Sequence, residues 1–560
     1  MLRRSQKGSE HGEKSTGGQR EHLSNQVYHF FHVLLISKVI DKSDESLNAL
    51  TSESFEAGQL ANVTSVGSAI SRMAARFAAG DDDLTKLVRS RQDAVNGWQV
   101  LDKKLFKTIS QPPDSRNKVL EDNLRKQLKV LDQRIEDTGK QLTERFPEYA
   151  ALTSLQPVTM AKAQSLLSAD EALISYLTGD EASYLWVLRR DRSAFHRIEM
   201  KGSEVATAVK SLRGSLDPSG VSNLSDVKPF DTTKAYELYE KLFAPAEKYL
   251  KGVRHVMVVP DGALQSLPLG VLVTEKPQGS FTDFSGYRQV PWLAKKYALS
   301  VLPSVSSLKA LRVFAKKGKS EEPFKGFGDP ILDGTTNSRG GVELAALFSR
   351  GPVVDVTKLQ NLGRLPDTAD ELRAIANTLG ADDSSLYLAE RATESQVKDL
   401  DLSNTQIVSF ATHGLIAGQL KGIQEPGLVL TPPTKGTSKD DGYLTASEIA
   451  QLKLNADWVI LSACNTASSD GKPGAEGLSG LAKAFFYAGS RALLVSHWPV
   501  LSQAATQLTT RMLKEAKDKT VGRAEALKRS MIAMMNDTKA NYLAHPMFWA
   551  PFVVVGEGGK

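Results

Sequence analysis

The chain holds a single cysteine, Cys464, among 560 residues, and one of its nine histidines, His413, stands 51 positions upstream of it. A thiol with a pKa near ~8.5 is mostly protonated at neutral pH, so its use as a nucleophile requires a neighbour that accepts or shares the proton. Imidazole is the side chain suited to that task near pH 7. A thiolate attacking a carbonyl also needs donors for the oxyanion that develops, and the backbone N–H groups of Gly414 and Cys464 are the candidates. Gly414, with no Cβ, lets the backbone come close. The competing reading is that a strand-end cysteine serves as a small buried apolar group and a histidine as a satisfied polar one.

What must bring the two together is a sheet. VSFAT precedes His413 and VILSA precedes Cys464, both runs of buried-strand character, and each functional residue is followed by small or polar residues. Around them strands alternate with helices: a helix over 367–379 opening on Asp367, a short helix from Thr393, strands at 405–413 and 427–431, and a capping box from Thr445 to Glu448. A strand over 457–464, a helix over 476–488, a strand over 491–498, two helices to about Met535 and a last strand over 552–555 follow. Such alternation predicts an α/β fold with a mainly parallel, doubly wound sheet flanked by helices. Functional groups gather at the carboxyl ends of neighbouring strands in such sheets, where both residues fall. The helix predicted from Glu476 would add its positive end to the same crevice.

Upstream, residues 172–200 carry three short β-branched or aromatic runs separated by TGDE and RDRS, the pattern of an antiparallel meander, and HVMVVP (255–260) reads as a buried strand ending in an Asp-Gly turn. From 58 to 146, Leu84, Leu87, Val88, Val95, Trp98 and Leu105, then Leu120, Leu124, Leu131, Ile135 and Leu142, recur at helical spacing. Pro112 and Pro113 between the two sets predict an antiparallel helical hairpin over 56–155, with no clean repeat of about 34 residues. Residues 1–55 read as a leader, largely disordered or partly helical, because the first 25 are polar and charged.

Composition narrows the function class. Lys+Arg 70 against Asp+Glu 64 is a mild excess, not a concentrated nucleic-acid footprint, and KKLFK (103–107) reads as the solvated face of a helix. One cysteine excludes an intramolecular disulfide framework. No GxxxxGK[ST] loop occurs, GLSGL (477–481) lacks the spacing of a nucleophile elbow, and the histidines show no metal-ligand spacing beyond His29 and His32; no cofactor or metal is expected. The apolar stretch Val27–Ile40 is interrupted by His29, His32 and Lys38 and is too short to span a bilayer. A late secretory signal core is the alternative to a cytoplasmic protein, and no membrane partner is expected.

The 51-residue separation matches the roughly 50-residue His-to-Cys spacing of caspases. FATHG (410–414), LSACNTA (461–467), AEGLSGLAKAFFYAGSRALLVSHWPV (475–500) and HPMFWAPFVVVG (545–556) resemble the CHAT family of caspase-like, separase-related cysteine peptidases, often attached to tetratricopeptide-type helical repeats in bacterial proteins. VPDGALQSLPLGVL (259–272), GFGDP (326–330), LPDTADEL (365–372) and DGYLTASEIAQL (441–452) are similar to the same family in the same order. The resemblance implies a non-catalytic, buttressing α/β half over 160–320 and a caspase-like catalytic half over 321–560. It implies a cysteine endopeptidase that cleaves a protein substrate, with His413 as general base, Cys464 as nucleophile, Gly414 as an oxyanion contributor, and a regulatory partner bound through the helical region. Leu501, Ser502 and Gln503 stand where the family commonly carries acids, and His497 where it has an apolar residue. Asp441 is a candidate substrate-contact acid, or simply the Asp of an Asp-Gly turn. The rival to a peptidase is a catalytically idle interaction scaffold on the same sheet.

Overall fold

The computed structural model describes residues 16–40, 47–62, 82–109, 117–145, 157–218, 221, 223–277, 283–314, 320–333, 359–415, 426–437, 439–462 and 480–559. Helices α1 (Thr16–Ile40) and α2 (Leu47–Ala61) come first, so helix occupies much of the segment expected to be largely disordered or partly helical. Burial accounts for the order: Val33 and Leu34 of α1 and Phe55 and Ala57 of α2 share a core with Tyr184 and Trp186, and Trp186 Nε1 donates to Ser54 Oγ at 2.9 Å. Helices α3 (Asp82–Ile109) and α4 (Lys118–Arg145) pack antiparallel, with Leu105 buried against Leu124 and Leu128 and Arg134 Nε donating to Ser90 Oγ at 3.1 Å. Among the described residues, no helix is long and apolar enough to cross a membrane.

The expected meander is β1 (Glu171–Thr178), β2 (Ser183–Leu188) and β3 (Ser193–Ile198), all antiparallel neighbours. Helices α5 (Gly202–Arg213) and α6 (Thr232–Leu242) lead to β4 (His255–Val259) and β5 (Ala298–Val301), which continue parallel to β1. Then follow β6 (Glu322–Gly328), α7 (Asp367–Leu379), β7 (Leu386–Leu388), α8 (Glu394–Asp399) and β8 (Thr405–Ala411). Three short strands, β9 (Gly414–Leu415), β10 (Gly427–Val429) and β11 (Tyr443–Thr445), precede β12 (Trp458–Leu461), α9 (Gly480–Ala488), β13 (Ala492–Ser496), α10 (Ser502–Ala516), α11 (Arg523–Met535) and β14 (Phe552–Gly556).

Among the described residues, one sheet takes eleven of these strands in the order β3-β2-β1-β4-β5-β14-β13-β12-β8-β6-β7. β13, β12, β8, β6 and β7 run parallel, and β14 is antiparallel to β13. The fold is therefore α/β with a mainly parallel sheet flanked by helices, as the alternation predicts. Two cores line its faces. Ile174, Val258, Ile460 and Leu494 face one, under α5, α6, α7, α10 and α11, while Leu173, Val459, Leu461 and Val495 face the other, under α1, α2 and α9.

Two local expectations need correction. GLVLT does not join the main sheet; β10 sits at the centre of a separate three-stranded sheet, β11-β10-β9. Its run is too short and its neighbours too local for a buried central strand, although Leu428 and Val429 are fully buried. Helix α7 is capped not by Asp367 but by Pro366, with φ −60° and no side-chain cap bond, and a proline's fixed φ suits the first turn of a helix.

Candidate functional site

His413 follows the carboxyl end of β8, and its backbone is held by the small sheet. Val429 N donates to His413 O at 2.9 Å, and the hydroxyl of the fully buried Thr412 donates to Val429 O. The alternation of an antiparallel ladder then makes Gly414 and Leu428 a non-hydrogen-bonded pair, so the Gly414 N–H turns away from β10. The imidazole is half-buried, and its Nε2 lies 2.7 Å from the carbonyl oxygen of Gly363. A carbonyl only accepts, so Nε2 carries the proton and Nδ1 is the basic nitrogen of the neutral ring.

β12 lies beside β8 in parallel, with Leu461 opposite Phe410, and Ser462 N donates to Phe410 O at 2.9 Å. His413 and Cys464 are each three positions past that registered pair. Cys464 itself, with its N–H, lies outside the described residues, as do residues 476–479 at the start predicted for the following helix. Beneath the strand ends runs an aromatic ladder: Phe327 of β6 stacks on Tyr387 of β7 at 4.9 Å and on Phe410 of β8 at 5.1 Å, and Phe485 of α9 closes on Phe410 at 5.4 Å. These rings fill the space under β6, β7 and β8, which holds the strand ends in a fixed relation.

Asp441 occupies the turn before β11. Its Oδ1 accepts the N–H of Tyr443 at 3.0 Å, and its own N–H, like that of Gly442, donates to Glu394 Oε2, at 2.8 and 3.0 Å. Gly442 has φ +80° and a Cβ there would meet Pro432 Cα at 2.7 Å, so the Asp-Gly turn needs its glycine. His497, the departure from the family pattern, is buried; burial, and then the charge of Arg213, lower its pKa to about 3, so it is neutral. His32 Nε2 pairs with Glu53 Oε1 at 3.0 Å, and among the described residues no group of three or more His, Cys, Asp or Glu could hold a metal ion.

Three residues with no role assigned from sequence lead away from the imidazole: Gly363, whose carbonyl meets Nε2, Arg364, which follows it, and Asp329, which Arg364 reaches. Asp329 follows β6, in a left-handed conformation at φ +49°, and its carboxylate takes a two-pronged bond from Arg364, Nε to Oδ1 at 2.8 Å and Nη2 to Oδ2 at 2.9 Å. The sequence signals there were GFGDP and LPDTADEL, which carry the resemblance to the CHAT family; nothing local in GRLPD announces that a backbone carbonyl there meets His413.

Against known proteins, the CHAT domain family matches residues 232–557. Tetratricopeptide repeat protein 28 of Homo sapiens is 24% identical over 365 residues, and that of Mus musculus 26% identical over 365 residues. Each alignment covers 58% of this chain and 13% of the relative, so the chain spans a small part of those proteins. Two structures of the Saccharomyces cerevisiae separase–securin complex align over 83% of this chain and 38% and 37% of theirs, at 10% identity and TM-scores of 0.39 and 0.40. A structure described as a protease aligns over 59% of this chain and 69% of its own, at 10% identity and a TM-score of 0.31. The match over 232–557 takes in β4 through β14 together with His413, Gly363, Arg364 and Asp329, and by it the chain belongs to the CHAT domain family.

Proposed function

We propose that this chain is a caspase-like cysteine endopeptidase in which His413 and Cys464 form the catalytic dyad. The observation that carries the reading is the register of β8 and β12: in sequence, His413 and Cys464 each come three positions after Phe410 and Leu461, which are paired across these adjacent parallel strands. The bond from His413 Nε2 to Gly363 O supports it, because it makes Nδ1 the basic nitrogen.

In this reading Nδ1 takes the thiol proton, and Cys464 Sγ attacks the scissile carbonyl carbon to give a tetrahedral oxyanion. The N–H groups of Gly414 and Cys464 donate to that oxygen, and the turn of Gly414 N–H away from β10 favours the role. The C–N bond then breaks, the leaving amine takes the proton from the imidazolium, and a thioester remains on Cys464. Water, giving a proton to Nδ1, attacks the thioester; the thiolate leaves and the acid product departs. Asp441, in the turn before β11, contributes a substrate contact in this proposal. The substrate is a protein, and a regulatory protein binds through the helical region, where Tyr28, Phe31, Leu35 and Val39 expose an apolar stripe on α1.

The test is identification of new protein N-termini generated by the wild type and by Cys464→Ala. Cleavages present only with the wild type are expected; identical cleavage by the two would end the peptidase reading. The curated relatives are named for tetratricopeptide repeats, and the second reading is an interaction scaffold without catalysis. A thiol that iodoacetamide modifies only near or above pH ~8.5, with or without His413, would favour it.

A further inference from the structure

We infer that Asp329 and Arg364 are positioning residues for His413, clamping the segment whose Gly363 carbonyl holds the imidazole in one tautomer. The inference rests on the reading of His413 as the general base.

Asp329 and His413 belong to neighbouring strands. β6 and β8 are parallel, with Gly328 opposite Ala411, so Asp329 leaves the sheet beside Thr412 and His413. The two strand ends are pressed together there: a Cβ on Gly328 would meet Ala411 O at 2.8 Å and Leu372 Cδ1 at 2.6 Å. Asp329 is therefore a fixed point in the frame of His413. Its N–H donates to Thr368 Oγ1 at 2.8 Å, and Thr368 Oγ1 donates to Leu365 O at 2.7 Å, which ties the same strand end to the start of α7.

The residue that follows Gly363 completes the frame. Arg364 reaches Asp329 through two parallel bonds, the geometry that fixes a guanidinium plane as well as a distance. The Asp329 side chain is 9% exposed and that of Arg364 39%, so the pair is shielded on the acid's side. The bond to Asp329 also raises the Arg364 pKa above its ordinary value. The two residues after Gly363 are thus both anchored, Arg364 on Asp329 and Leu365 through Thr368, and Leu362 before it is buried with its N–H on Leu359 O at 3.0 Å. Gly363 has no side chain of its own to hold it. Its carbonyl keeps the proton on Nε2 only while it stays 2.7 Å from the ring. Asp329 also keeps an uncommon left-handed backbone without being glycine, a conformation that persists where surrounding contacts over-determine it.

The experiment uses the full chain labelled with 15N-histidine, with His413 assigned by its loss in His413→Gln, and reads the two ring-nitrogen shifts. The wild type is expected to show the Nε2-protonated tautomer at pH 8. Arg364→Ala and Asp329→Asn are expected to give a mixture of tautomers, with Arg364→Lys, which keeps the charge but not the paired bonds, in between. Iodoacetamide modification of Cys464 at pH 7 should fall about tenfold in Arg364→Ala, because a displaced base no longer activates the thiol. Ring shifts unchanged from wild type in a folded Arg364→Ala or Asp329→Asn protein would overturn the inference. Should neither fold, Arg364→Lys decides by the same shifts. Altered shifts, with a thiol whose alkylation profile is the same in wild type and His413→Gln, would sustain the positioning role while removing the peptidase reading.

Discussion

The carbonyl oxygen of Gly363 lies 2.7 Å from Nε2 of His413, although the two residues are 50 positions apart and lie in separate loops. This bond sets which nitrogen of the ring is basic. His413→Gln removes that nitrogen, and the proposed dyad predicts that proteolysis falls by about 10²-fold or more and that alkylation of Cys464 at pH 7 slows. Cleavage assays on any substrate found by N-terminal identification, run beside iodoacetamide kinetics against pH, check both halves.

Phe410 stands between Phe327 and Phe485 and has no solvent exposure. Phe410→Ala would leave a cavity under the strand ends that the flanking rings cannot fill without moving. A loss of about 3–5 kcal/mol is expected from urea unfolding, whereas Phe410→Leu should lose markedly less. Equal midpoints for wild type and Phe410→Ala would show that the ladder is dispensable.

Arg312 joins the first strand to the last. Its guanidinium bonds Glu171 at the start of β1, at 2.6 and 2.7 Å, and Glu557 just past β14, at 3.1 and 3.2 Å. Burial by itself would raise the pKa of both carboxyls, but the bonds and charge of Arg312 outweigh it and hold them below the ordinary carboxylate range. Arg312→Met strands two buried carboxylates, and a cost of about 3–5 kcal/mol is expected. Adding Glu171→Gln and Glu557→Gln to Arg312→Met should restore part of the loss, measured by the denaturant midpoint.

His497 makes the protein sensitive to acid. Its folded pKa, lowered to about 3 chiefly by burial, lies below the unfolded value of 6.5. The unfolded chain therefore takes up the proton first, and stability present above pH 6.5 is lost progressively as the pH falls toward 3. His497→Leu removes this titration. Its unfolding free energy should fall less steeply than that of the wild type between pH 6.5 and 4.5, and parallel curves would refute the account.

Much of the architecture was legible because it depends on local pattern. The three short runs within 172–200 each became a strand, as did the apolar-rich runs at 255–259, 405–411, 458–461, 492–496 and 552–556. β5 (ALSV) and β7 (LYL) were passed over because four and three residues are too few to show a period. GLV was legible as a strand but not as a member of the small sheet, since period and length say nothing about which partner a strand takes.

The residue types alone determined the chemistry available: one thiol, an imidazole 51 positions before it, a glycine beside the imidazole, and two apolar runs that end just before the imidazole and the thiol. Tertiary structure alone decided that β8 and β12 are neighbours in register, that His413 Nε2 meets the Gly363 carbonyl, and that Arg364 closes on Asp329. The reason is physical. Strand character is a property of a few adjacent side chains, whereas strand order and a bond to a distant backbone carbonyl depend on how helices and sheet faces pack over hundreds of residues, and a carbonyl is the same group at every position.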